Sequence, residues 1–119
     1  MADNIIKTKS FSFALRIVKL YQFLSSEKKE FILSKQLLRS GTSIGALVRE
    51  SEHAESKLDF IHKLVIAQKE ANESDYWLEL LFHSEYLNES QFQSLNSDII
   101  EINKILASII ISTKNNLKK

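Results

Sequence analysis

Apolar residues recur along this chain at intervals of three and four, the spacing that collects them on one face of an α-helix. From Ser10 to Leu24 the stripe is Phe13, Ile17, Leu20 and Leu24, widened by Ala14, Val18 and Tyr21. A second helix is expected from Ser34, as N-cap, to about Ala54, with Leu33 and Leu38 placed to clamp its entry. Ser56 with Asp59 makes a capping arrangement for a third helix. Its ladder is Phe60, Leu64, Ala67, Ala71, Ser74, Leu78 and Leu81. Asn88 and Gln91 open a fourth, with Phe92, Leu95, Ile99, Ile102, Leu106 and Ile109 on its ladder. No segment alternates as a strand would. The pattern predicts helices over about 10–24, 34–54, 57–84 and 89–114 in one domain, 1–119. Short connections make neighbouring helices antiparallel. The expected fold class is all-α, an antiparallel up-down-up-down four-helix bundle.

Two features do not fit a plain amphipathic bundle. The first is SGTSIGALVRE at 40–50, which holds both glycines of a chain without proline. A phosphate loop needs G-x-x-x-x-G-K-[ST], or G-x-G-x-x-G after a strand, and GTSIG is neither. Inside a helix each glycine costs about 1 kcal/mol relative to Ala. Gly41 and Gly45, one turn apart, share a face that another helix can approach closely. The small rungs Ala67, Ala71 and Ser74 of the third helix offer a matching surface, so close packing is expected there. The second feature is the surplus of Ile100, Ile105, Ile110 and Ile111 off the fourth ladder. A helix apolar nearly all round is buried on more than one side. The second side is either another subunit or the connection at 27–33.

Composition narrows the class. There is no cysteine, so no disulfide, thiolate metal site or cysteine nucleophile. The N-terminus lacks the apolar core of a signal peptide, and the run ILASIII at 105–111 is too short to span a bilayer. A cytoplasmic protein with no membrane partner is expected. The net charge of +1 is unevenly spread. The balance is +5 over 1–50, −8 over 51–101 and +4 over 102–119. Such segregation makes a basic face or complementary helix and subunit contacts.

Candidate chemistry is sparse. His53, His62 and His83 lack metal-ligand spacing, and Glu52, Glu55 and Asp59 straddle a helix boundary. No catalytic triad, metal site, cofactor site or small-molecule substrate is indicated. One polar group stands out. Glu70 and Glu73 share a helix face with Trp77, and carboxylates on a partly apolar face want partners. Lys69, four residues before Glu73, and Arg39 and Arg49, flanking the glycines, are the candidates. A structural ion network is favoured over a general acid/base pair, because such networks perturb carboxylates without chemistry.

LSKQLLRSGTSIGA at 33–46, DFIHKL at 59–64 and KEANESDYWLELL at 69–81 resemble the four-helix-bundle proteins encoded by intervening sequences in bacterial 23S rRNA genes. The resemblance covers nearly the whole chain and is strongest over 33–82. It departs at Leu47, where many members carry Asn, and at Ser51, where they carry Gly. It implies a four-helix protomer, often a homopentameric ring, without known enzymatic activity. The fold is similar to that of the accessory protein of diversity-generating retroelements, a pentamer working with a reverse transcriptase and RNA. RNA association is thus implied by analogy. Candidate contacts are Arg16, Lys19, Lys28, Lys29 and Lys35, with Lys7, Lys9 and the C-terminal Lys114, Lys118 and Lys119, each of which also reads as an ordinary solubilising cation. Aromatic residues do not look interleaved with them, so base stacking is not expected. The alternative is a protein-interaction or scaffold module presenting the acidic stretch from Glu70 to Glu101 and the fourth helix.

Overall fold

The computed structural model describes residues 2–118, with side-chain environments from Ile5 onward. It contains α1 (Ala2–Ser26), α2 (Leu33–Ser51), α3 (Lys57–His83) and α4 (Glu89–Leu117). No strand occurs among the described residues. α1 starts well before the expected Ser10. The reason is visible in its buried face: Ile6, Ser10, Phe13, Ile17, partly buried Leu20 and Leu24 form one ladder. Ser10 is a buried small rung within that ladder, and its hydroxyl donates to the Lys7 carbonyl at 3.2 Å.

The α2 start corrects the expected cap. Ser34 lies inside the first turn, and the N-cap position, Ile32, supplies no side-chain bond. Glu30 does the capping. Its carboxylate accepts from the backbone N–H groups of Ile32, Leu33 and Ser34 at 3.1, 3.0 and 2.7 Å. The Ser34 hydroxyl returns a bond to the Glu30 carbonyl at 2.8 Å. Burial pushes the Glu30 carboxyl up, but these hydrogen bonds outweigh it and hold the group below its ordinary range. At the other end α2 stops at Ser51, short of Ala54. Ser56 caps α3 by accepting from Asp59 N–H at 3.0 Å. Asn88 and Gln91 form a reciprocal capping box on α4.

The helices pack as a square. α1 and α3 each lie against both α2 and α4, and the remaining pairs are diagonal. Side-chain bonds give the directions. Lys9 meets Glu101 and Arg16 meets Asp98; Ser40 meets Ser74 and Glu50 meets Lys63; Asp75 meets Asn96 and Asn72 meets Asn103. Rising numbers on one helix run against falling numbers on its neighbour, and Gly41 beside Ile17 with Gly45 beside Ser10 gives the same for α1 and α2, so every adjacent pair is antiparallel. Phe13, Ile17, Leu37, Ile44, Leu64, Leu78, Ile99 and Leu106 fill the centre. Each such side chain contributes about 1.5–3 kcal/mol through burial.

The glycines face a different neighbour from the one expected. A Cβ on Gly41 would lie 2.9 Å from Ile17 Cγ1 of α1. One on Gly45 would lie 3.4 Å from the Ser10 carbonyl oxygen, also on α1. The close approach is therefore α2 on α1. Ala67, Ala71 and Ser74 are buried in α3, and Ser74 meets Ser40 of α2 through their hydroxyls, 2.9 Å apart. On α4, Ile110 enters the core and Ile105 packs against it, leaving Ile100 and Ile111 exposed. The C-terminal part of α4 does not meet the 27–33 connection. Antiparallel packing carries it to the opposite end, where Ile109 shares a cavity wall with Ala54 and Ser56.

Candidate functional site

Two charged groups are set on the bundle. The first lies across α2 and α3. Arg39 donates two bonds to Glu70, at 3.0 and 3.2 Å, and a third to Glu73 at 2.5 Å. The Trp77 indole N–H also donates to Glu73, at 3.0 Å. The face-sharing spacing of Glu70, Glu73 and Trp77 on α3 aims all three at one point, and antiparallel α2 brings Arg39 to it. The indole and then the guanidinium hold the Glu73 carboxyl below its ordinary range, and the two carboxylates raise the Arg39 pKa. A general acid working near neutrality needs a carboxyl shifted the other way. Glu73 is held ionised, as a structural partner. Arg49 does not join this group; it lies over the Phe11 ring of α1, 5.3 Å from its centroid. Lys69 is exposed and forms no ion pair among the described residues.

The second group lies toward the end where α1 passes into α2. Arg16 is engaged there by Asp98 at 2.6 Å and by Ser94 at 2.8 Å. Lys19, Lys28, Lys29 and Lys35 are exposed, and none pairs with a carboxylate among the described residues. Lys29 takes a positive φ of 55°, turning the chain after α1. An exposed ring, Phe23, stands among these cations, with Lys28 Nζ 5.9 Å from its centroid.

Phe23 is shared by two adjoining hollows. One, of about 240 Å³, lies between α1 and the start of α4 and is lined by Arg16, Lys19, Leu20, Phe23, Gln91 and Leu95. The other, of about 410 Å³, adds Lys28, Phe82, Tyr86 and Glu85. The sequence reading found the lysines but not Phe23. The available signal was an aromatic four residues after Lys19 and five before Lys28. His53, His62 and His83 are exposed. No metal-holding cluster occurs among the described residues, and no helix among them is long and apolar enough to cross a membrane.

The family model described as 23S rRNA-intervening sequence protein matches residues 2–108. The chain belongs to that family. Among solved structures, it is similar to a protein of unknown function from the S23 ribosomal protein family of Bacteroides thetaiotaomicron VPI-5482, determined at 1.70 Å. The two share 62% identity over 92% of this chain and 98% of that one, with a TM-score of 0.91. Comparison with curated proteins returns no match. That S23-family structure shares this four-helix form, and nothing in these likenesses points to catalysis.

Proposed function

We propose that this family member is a non-enzymatic cytoplasmic protein that assembles into a homo-oligomeric ring, a pentamer, and associates with RNA. The observation that carries the RNA reading is the set of exposed cations toward one end of the bundle, Lys19, Lys28, Lys29 and Lys35, none of which pairs with a carboxylate among the described residues. Five copies of a weak phosphate-binding patch bind where one does not, because linked contacts act at high effective concentration. Self-association is supported by apolar surface that the protomer leaves uncovered: Phe11, Leu15 and Val18 along α1, and Ile100 and Ile111 on α4. The rRNA context in the family description agrees with an RNA partner.

Two measurements test the reading. Light scattering on the purified protein is expected to give five times the 13.7 kDa protomer mass, and a monomer contradicts the ring. Titration of structured and single-stranded RNA at low salt is expected to show binding that weakens as salt rises, and a flat titration contradicts the RNA reading. The scaffold reading draws on a separate observation, Tyr76 exposed and edge-on to Trp77 beside Arg39. Tyr, Trp and Arg are the residues that most often anchor protein interfaces. A protein partner with no RNA binding is the outcome that favours it.

A further inference from the structure

We infer that the cleft around Phe23 is a subsite for an unstacked base of a single-stranded nucleic acid. The inference rests on the RNA reading above and assigns it to a place and a strand form. A base–phosphate unit needs a flat apolar face for the ring and cations for the backbone. Phe23 supplies the face and remains partly open to solvent. Lys19 lies on the same wall of the cleft as Phe23, one helical turn earlier, and Lys28 lies over the ring.

Gln91 borders both hollows. Its side-chain oxygen accepts the Asn88 backbone N–H at 2.9 Å, within the α4 capping box. That bond fixes which way the amide faces, leaving its N–H donors for a base edge. Two hollows joined at Phe23 give room for neighbouring nucleotides along one strand. Duplex bases are already stacked on each other, so an aromatic platform of this kind selects single strands, loops and ends. Glu85 lines the same hollow as Lys28, while the hollow with Lys19 and Arg16 has no carboxylate in its lining, so the backbone phosphate is placed toward Lys19.

The test uses the full-length protein and fluorescence anisotropy with one labelled oligoribonucleotide, single-stranded or annealed to its complement. The single strand is expected to bind about tenfold tighter or better. Phe23→Ala should weaken single-strand binding about tenfold, within the range for one lost base–aromatic stack, without changing the salt dependence. Phe23→Trp should retain binding and give an indole emission that changes on RNA addition. Circular dichroism confirms that both variants fold. Equal affinity of Phe23→Ala and wild type, or of duplex and single strand, overturns the cleft assignment while leaving RNA association standing. Absence of any binding by the wild-type protein overturns both.

Discussion

The seam between α2 and α3 and the end where α1 turns into α2 both carry cations, and they use them oppositely. At the seam, Arg39 is answered by Glu70 and Glu73, and Glu73 in turn by Trp77. At the open end, Lys19, Lys28, Lys29 and Lys35 have no carboxylate partner among the described residues, and Phe23 stands among them. The difference explains the charge segregation of the sequence. Lys7, Lys9, Arg16 and Arg39 all reach acids of the 51–101 segment, namely Glu52, Glu101, Asp98 and the Glu70–Glu73 pair. Much of the imbalance along the chain is therefore complementarity between helices. Lysines without a carboxylate partner among the described residues include the open-end set and also Lys57, Lys69, Lys104, Lys114 and Lys118 elsewhere on the bundle; what sets the open end apart is Phe23 beside them.

If this division holds, changes inside the seams cost stability and changes to the exposed groups of the open end do not. The largest effect is expected from Gly41→Leu, because a Cβ there already meets buried Ile17. Overpacking of this kind costs about 3 kcal/mol, more than the helix propensity gained. In a double-mutant cycle read by chemical denaturation, it should couple to Ile17→Ala and not to Ala71→Gly. Gly45→Ala is the internal contrast. Its Cβ meets the Ser10 carbonyl at ordinary contact distance, so the variant should be neutral or up to about 1 kcal/mol more stable.

Glu30→Ala comes next, at about 2 kcal/mol, since it removes the cap of α2. Glu30 lies at the open end but is buried, so it sharpens the rule that burial and partnering, not location, decide the cost. Its folded-state pKa lies below the ordinary 4.5. The stabilisation is therefore complete above that value and is lost as pH falls through the lower folded-state one. Melting curves of wild type and Glu30→Gln should converge over that acid window. A gap that widens on acidification contradicts the assignment. Smallest is Arg39→Ala. Its guanidinium is half exposed, so under about 1 kcal/mol is expected, shrinking as salt is added.

Much of the fold was legible because it rests on periodicity. The α3 and α4 ladders and the Ser56 and Asn88 caps follow from spacing alone. Arg39, Glu70, Glu73 and Trp77 were legible as a group because opposite charges on facing helices leave a chemical signature. Glycine leaves none. A square bundle gives α2 two neighbours, and nothing in SGTSIGALVRE says which of them its bare face meets. Ser34 looked like the α2 cap because serine commonly is one; Glu30 takes the role because its longer, ionised side chain reaches three N–H groups at once. Phe23 was hidden for a related reason. On the sequence it stands four and five residues from its cations, and only the turn after α1 folds Lys28 back over its ring.

On the proposal above, Lys19 and Lys28 serve a nucleic-acid partner, whereas Arg39 is held by Glu70 and Glu73. The most direct measurement is the slope of log affinity for single-stranded RNA against log salt, for wild type, Lys19→Ala/Lys28→Ala and Arg39→Ala. Losing two phosphate contacts should lower the slope by about 1.4 for each protomer that engages the strand, with melting temperature unchanged. Arg39→Ala should keep the wild-type slope. A double-lysine variant with an unaltered slope, or an Arg39→Ala variant with a reduced one, contradicts the account.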